Sequence, residues 1–543
     1  MENEFLKVVE YLNNEDFQTF EEELKKYILE KDKYTQEQRA ENYGILRSSF
    51  EQKFIKYDDD KKNYSKIFRY TLLFLNKKDY DTLKFWSMTA TRFEKFKMYE
   101  VALKCYLEYI KSDKSDKRVY GNIADILYNE KHDDLAALKC YKKYTEYFHD
   151  DAYAYNMVGH LLEKIYKSEY VEEQFANFEK AHYLEPKVRS FIKNIALIAG
   201  KNKDIGRFCK YSDMLLKTNP TNQELFDYGC WSLYNKIFKN FYKYYQYRFY
   251  KEEGETKYPN VDDRLWNGKD DLTDKKLIIR REQGYGDSIT YIRFLPLIKK
   301  IAPNFIFIDR YPLASFLKYN YPEYDIRDDK KDLQDYDFDY QLPMMNLLAV
   351  LKITDKNMPF KDGYLKAKDE LVKDFSEKFI NPKKFNIAIA FKGCQVYNGD
   401  NRDMREETWL KLTELPNVQV FSLQVDCKEH MFELPESKKV VDLSDYITDF
   451  EKTAAAMKCM DLIVSTDNVI LNLAGAMSLK TFGIFNYYTD FRWFTLKGND
   501  TGWYNSIKVY KNKKYDAWEE TFDTVLEDVR KLADEKIKNN PAN

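Results

Sequence analysis

Three short segments in the second half of the chain carry side chains that could hold a phosphorylated ligand or move a proton. Four of the five histidines, His132, His149, His160 and His182, lie in the first 182 residues, and only His430 follows. Proton transfer in the C-terminal half must therefore lean on carboxylates. The first segment is Arg281-Glu282-Gln283-Gly284-Tyr285-Gly286-Asp287-Ser288-Ile289, which follows an apolar run and opens a helical pattern through Tyr291, Phe294 and Leu297. Gly284 and Gly286 flank Tyr285 at this strand-to-helix turn, so the backbone can come close to a ligand and the new helix offers it free N–H groups. Asp287 is the carboxylate at the helix start, where an N-cap role is the purely structural alternative. The third glycine of the dinucleotide fingerprint is missing, which disfavours an oxidoreductase.

The second segment, Ser465-Thr466-Asp467-Asn468, ends a strand and leads into the apolar helix pattern Val469 to Ala476, with Asn472 one turn beyond Asn468 on the same face. Small polar residues there suit phosphate or ribose at a helix N-terminus, although capping alone accounts for Thr466 or Asp467. The third follows a strand ending at Phe391: Lys392-Gly393, then Asp400-Asn401-Arg402-Asp403-Met404-Arg405. Cations at a strand end can neutralise a diphosphate without a metal; a solvated charged loop is the plainer alternative.

The elements that must position these residues follow from apolar spacing. Leu277 to Ile279, Phe305 to Ile308, Ile387 to Phe391, Val418 to Phe421, Leu462 to Val464 and Thr481 to Phe485 read as short buried strands separated by helical patterns. That alternation predicts parallel sheets with crossover helices, and its length predicts two Rossmann-like domains with a ligand in their cleft. Residues 1 to about 255 read instead as helix throughout. Ala102-Leu103-Lys104-Cys105-Tyr106 returns 35 residues later as Ala137-Leu138-Lys139-Cys140-Tyr141, the aromatic recurs at Phe178 and Tyr211, and Pro186 and Pro220 follow two of these helices. Such spacing resembles the tetratricopeptide repeat, whose stacked units present a concave binding surface; an irregular bundle with aromatic core positions is the alternative.

Composition bounds the rest. The 543 residues exceed one ordinary core, and 88 Lys+Arg against 90 Asp+Glu argues against a nucleic-acid protein held by bulk basicity. With 44 % hydrophobic and 17 % aromatic residues the chain is not mainly disordered. No apolar run is long enough to span a membrane and the N-terminus lacks signal-peptide order. Seven cysteines without C-x-x-C spacing suit a reducing compartment and a metal-free, disulfide-free fold, so a cytoplasmic location is expected.

Taken jointly, the segments resemble the glycosyltransferases that carry tetratricopeptide repeats ahead of a two-domain GT-B region, relatives of bacterial heptosyltransferases and protein O-GlcNAc transferases. The resemblance spans about residues 85 to 525. It rests on Trp266-Asn267-Gly268, Glu282 to Ile289 with Arg293-Phe294-Leu295-Pro296, Ser422-Leu423-Gln424, Asp442-Leu443-Ser444-Asp445, Asp461 to Asp467, Leu473 to Ala476, Arg492-Trp493 and Trp503-Tyr504, all in order. Tyr244-Tyr245-Gln246-Tyr247-Arg248 is similar to the family's junction segment.

The implied fold is multidomain α plus α/β: a helical extension over 1–84, repeats over 85–255, an acceptor-side Rossmann-like domain over 256–375 and a nucleotide-sugar-binding one over 376–543. By position, Asp287 matches the proposed general base. Gly284, Tyr285, Gly286, Ser465, Thr466, Asp467, Asn468 and Asn472 match donor-binding positions, Lys392 with Arg402 or Arg405 the groups stabilising the leaving diphosphate, and Gln424 a position near the base. The family usually has His where this chain has Asn472, and a tryptophan-small-glycine turn where it has Phe391-Lys392-Gly393.

The resemblance implies a metal-independent inverting transferase that uses a nucleoside diphosphate sugar, UDP-GlcNAc type favoured, on Ser/Thr of a protein such as flagellin bound by the repeats. The alternatives are a non-catalytic repeat scaffold and an ADP-heptose-type enzyme with a saccharide or lipid-linked acceptor. Oligomerisation is left open, and the pattern from Ala517 to Ile537 reads as a helix that could return onto the first Rossmann domain.

Overall fold

The computed structural model describes residues 17–30, 82–95, 97–250, 264–330, 336–393, 402–425 and 439–539, with a few isolated positions before residue 50. Most of the expected 1–84 extension, and Cys394, Asp400, Asn401, Cys427 and His430, lie outside them. The chain divides into two compact units, Met1–Ile165 and Tyr166–Asn543.

In the first unit the 35-residue period is carried by helices Tyr99–Ser112 and Asp134–Tyr147. Ala102 and Ala137 are fully buried, as are Tyr106 and Tyr141 four residues on. The repeat extends to hydrogen bonds. The Tyr109 hydroxyl donates to Asp116 (3.2 Å) and that of Tyr144 to Asp151 (2.7 Å). Each of these aspartates also caps the next helix, accepting from the N–H of Arg118 or Ala154. A buried phenol needs such a partner, and here one carboxylate serves both phenol and helix start.

The second unit begins with helices Val171–Leu184, Arg189–Lys201, Ile205–Leu216, Asn222–Tyr234 and Phe238–Tyr244. Phe178 and Tyr211 are buried as their spacing requires. Gln174 stands where Ala102 and Ala137 stood; it is fully buried, and its amide donates to the Lys167 and Glu169 carbonyls.

Two parallel sheets follow. The first comprises β1 Lys276–Arg280, β2 Asn304–Asp309, β3 Asp325–Asp328 and β4 Tyr340–Pro343, in the order β3-β2-β1-β4. The second comprises β5 Phe385–Ala390, β6 Val418–Ser422, β7 Val440–Asp442, β8 Leu462–Thr466, β9 Thr481–Phe485 and β10 Ile507–Lys511, in the order β10-β9-β8-β5-β6-β7. Each is a Rossmann arrangement whose strand order reverses beside its first strand, between β1 and β4 and between β5 and β8. Helical repeats followed by two such domains give the tetratricopeptide-like plus GT-B architecture.

One continuous apolar core joins the lobes, including Leu233, Phe241 and Tyr245 from the last helices, Leu277 and Ile279 of β1, and Leu473, Trp503 and Tyr504 of the second lobe. The helix Trp518–Asn539 does not return to the first domain. Its buried face, Phe522, Val525, Val529 and Ala533, joins the core of the second sheet with Ile387 and Val464, and Lys536 pairs with Asp461 at 2.6 Å. Among the described residues no helix is long and apolar enough to cross a membrane.

Candidate active site

The loops after β1, β5, β6, β8 and β9 leave the C-terminal edges of the two sheets, the edge at which open α/β sheets bind ligands. The β1 loop starts with a buried ion pair. Glu282 receives a two-pronged bond from Arg248, Nε and Nη2 each at 2.9 Å, and also accepts from the Met345 N–H at 2.8 Å. Gln283 then adopts a left-handed conformation, φ 54°, unusual for a side chain other than glycine, asparagine or aspartate. Gly284 caps the helix Tyr285–Tyr291, and Asp287 at its third position reaches back to accept from the Gly284 N–H at 3.0 Å. Asp287 thus makes the N3 half of a capping box, the N-cap Gly284 having no side chain to make the other half. Gly286 has a steric reason: a Cβ there would lie 3.0 Å from the Asn472 amide and 3.5 Å from Val469 Cα. Tyr285 packs against Phe450, ring centroids 5.1 Å apart, with the Arg310 guanidinium 3.6 Å from its own centroid.

On the second sheet, amides stitch the strand ends together. Asn468 caps Val469–Ala476 through Ile470 N–H at 2.9 Å, and its Nδ2 donates to the carbonyls of Ala390 and Lys392. Gln424 accepts from the Lys392 N–H at 3.2 Å. Ser465 and Thr466 are fully buried at the end of β8, with Ser465 Oγ donating to Asn468 Oδ1 at 3.0 Å. Asn472 bridges the lobes: its Oδ1 accepts from the Thr290 hydroxyl at 2.9 Å and the Tyr504 hydroxyl at 3.4 Å, and its Nδ2 donates to the Asn468 carbonyl. Its amide thus joins the contact between the lobes.

Arg293 crosses the same interface fully buried, donating to the Trp503 carbonyl at 2.8 Å and to the Tyr364 hydroxyl at 3.1 Å. Of the two candidate arginines, Arg405 is exposed. Arg402 is drawn inward, because the Gly393 N–H donates to Asp403 and the Met404 N–H to the Phe391 carbonyl.

These segments meet in an alternating chain of charges. The Arg402 guanidinium stands 3.6 Å from Asp467 and 3.0 Å from Asp490. Asp490 holds Arg492 by Nε at 2.7 Å and Nη2 at 2.8 Å. Arg492 Nη1 donates to Gln283 Oε1 at 2.7 Å and to Asp287. The order is Asp467, Arg402, Asp490, Arg492, Asp287, and a cavity of about 10 Å³ lies beside Arg402, Asp467 and Asp490.

Burial pushes the Asp467 carboxyl up, with the Asp490 charge adding to it and Arg402 opposing. Burial also acts on Asp490, but there the Arg492 guanidinium and then Arg402 outweigh it and hold the carboxyl well below the usual carboxylate range. For Arg492, desolvation is overcome by Asp287 and Asp490, and the guanidinium is held firmly charged. Sequence reasoning gave no role to Gln283, Asp490 or Arg492. The available signals were the Arg492-Trp493 match and the glutamine ahead of the glycine turn.

No known protein-family profile matches the chain. It is 23% identical over 296 residues to Protein FlbA of Caulobacter vibrioides, which covers 49% of this chain and 48% of that protein, so the chain spans about half the length of the curated relative it matches. Among solved structures, it is similar to a glycosyl transferase family 9 protein from Veillonella parvula (12% identity, 49% of this chain, 99% of that one, TM-score 0.37). It is similar also to the E. coli ADP-heptose LPS heptosyltransferase II (11%, 48%, 99%, TM-score 0.36). A third is the C-terminal part of a TPR repeat-containing protein from Cytophaga hutchinsonii (15%, 47%, 97%, TM-score 0.31).

Proposed function

We propose that the chain is a metal-independent inverting glycosyltransferase that moves a sugar from a nucleoside diphosphate donor to a protein hydroxyl. One observation carries this reading: a carboxylate at the C-terminal edge of the acceptor-side sheet faces cationic groups at the matching edge of the donor-side sheet. In the reaction, the acceptor oxygen attacks the anomeric carbon from the side opposite the diphosphate. The new C–O bond forms as the old one breaks, the hydroxyl proton passes to Asp287, and the electron pair leaves with the diphosphate. An aspartate is a weak base, so it acts late in the step and must be held in place. Lys392 and Arg402 supply the positive charge that the leaving group requires.

UDP-GlcNAc is the first donor to try, and Ser/Thr of flagellin, modified in the cytoplasm before export, the first acceptor. The repeats offer the surface for such a protein. Intact-mass spectrometry of flagellin co-expressed with the wild type and with Asp287→Ala tests this. A mass shift with the wild type alone supports the reading and gives the sugar's mass, while donor binding by Asp287→Ala stays within about a few fold. Wild-type turnover in that variant removes Asp287 as base.

A second reading, a scaffold with a catalytically silent GT-B half, is favoured by the engagement of both Asp287 oxygens and by the use of Asn472 between the lobes. Hydrolysis of UDP-GlcNAc without acceptor separates the two, since a silent scaffold releases no UDP.

A further inference from the structure

Arg492 belongs to the donor-side lobe and Asp287 to the acceptor-side lobe, yet the two side chains touch. The guanidinium is planar, so fixing two of its nitrogens sets the direction of the third. Asp490 fixes Nε and Nη2 and also accepts from the Arg492 backbone N–H at 2.9 Å. Arg402 Nη2 holds Asp490 in turn at 3.0 Å. Nη1 is left aimed at Asp287 and Gln283. The other Asp287 oxygen is tied to the Gly284 N–H within its own lobe. The carboxylate is thus held from both lobes at once, and only their joint placement sets where its remaining lone pairs point.

We infer that Arg492, backed by Asp490, is a positioning residue that aims the Asp287 carboxylate at the acceptor hydroxyl when the two lobes are together. This rests on the reading of Asp287 as general base. Arg492 moves no proton: the acceptor O–H proton goes to Asp287, and the guanidinium keeps its hydrogens throughout. The chain of contacts also links the donor side to the base, because Arg402, a candidate diphosphate ligand, is the group that steadies Asp490.

The test uses the full-length protein with UDP-GlcNAc and flagellin, measuring kcat, donor KM and, by calorimetry, the affinity for UDP. Arg492→Lys and Asp490→Asn are expected to lower kcat by about 10- to 100-fold, the cost of misplacing a reacting group by about an ångström, with donor KM and UDP affinity within about three-fold. In an Asp287→Asn background, Arg492→Lys should cost nothing further, as expected of groups that act as a unit. Gln283→Ala removes only one acceptor of Nη1; it keeps the question open to measurement if the Arg492 variants do not fold, and should lower kcat by a few fold. A rise of ten-fold or more in donor KM or in the UDP dissociation constant with kcat unchanged makes Arg492 a donor ligand and overturns the inference, as does full turnover by Arg492→Lys. Absence of turnover in the wild type removes the underlying reading, and the positioning role with it.

Discussion

Asp309, at the end of β2, is fully buried, and one of its carboxyl oxygens accepts from the Arg310 N–H at 2.7 Å. Burial pushes its pKa up to about 6, against the pull of Ser288 and Arg310. An unfolded aspartate titrates near 3.9. Between about pH 4 and pH 6 the folded protein therefore keeps a proton that the unfolded chain has lost. This group's stabilisation is complete below pH 4, falls as pH rises to 6 and is flat above, a loss of up to about 3 kcal/mol. Asp309→Asn should remove that slope and leave the variant more stable than the wild type at pH 7.5. Urea denaturation of both proteins at pH 4.5 and 7.5 checks this; equal slopes would show that Asp309 is ionised in the folded state throughout.

The charge chain shows why single residues were only half legible in the sequence. Asp287 and Asp467 stand in recognisable strand-to-helix turns, whereas Arg492 lies 205 residues from Asp287 and acquires its meaning only when two lobes meet. Asn472 illustrates the converse. Its position one turn beyond Asn468 was legible, but the Thr290 hydroxyl that engages its amide comes from the other lobe, 182 residues away.

Among the elements, all six strands read from the sequence lie inside their sheets, and the four that were missed are the edges: β3 and β4 of the first sheet, β7 and β10 of the second. Interior parallel strands are covered on both faces and read as continuous apolar runs. Edge strands tolerate charge and proline, and Asp325-Ile326-Arg327-Asp328, Tyr340 to Pro343 and Ile507 to Lys511 carry such residues. The junction segment Tyr244 to Arg248 was recognised by likeness, and the structure supplies its physics. Arg248 pairs with Glu282 out of water, with both side chains at most 5% exposed, and ties the last helical turn to the loop that carries Asp287. Removing one partner of such a pair strands a buried charge. Arg248→Met alone is expected to destabilise by about 3–5 kcal/mol. The double variant Arg248→Met with Glu282→Gln, which leaves no isolated charge, should recover much of that loss. Denaturant midpoints of the two variants decide the matter; equal losses would mean that packing, not charge, sets the cost.

At the scale of the whole molecule, compactness and sequence texture divide the chain at different places. The texture changes near residue 256, where helices give way to strands, but the compact units part between Ile165 and Tyr166. The reason is in the contacts of the last helices. Leu233, Phe241 and Tyr245 share a core with β1 and the second lobe, Tyr234 bonds to Thr489, and Tyr488 donates to Asn202 at 3.0 Å. A chain starting at residue 256 loses these contacts and leaves Glu282 without Arg248. The unpaired charge costs about 3–5 kcal/mol, and each lost apolar contact of this size about 1.5–3 kcal/mol. Together these approach the whole stability of a domain, about 5–15 kcal/mol. A fragment of residues 166–543 is therefore expected to unfold in one cooperative transition and, on the proposed function, to hydrolyse UDP-GlcNAc as the full chain does, whereas 256–543 is expected to lack a cooperative melt. If the first unit carries the acceptor, 166–543 should also lose transfer to flagellin while retaining hydrolysis. Thermal unfolding by circular dichroism, with UDP release and intact-mass analysis on the same preparations, measures all three. A melt of 256–543 within about 2 °C of 166–543 would mean that the helices up to Tyr250 are passengers on the Rossmann pair, and would return the functional boundary to the place where the sequence changes texture.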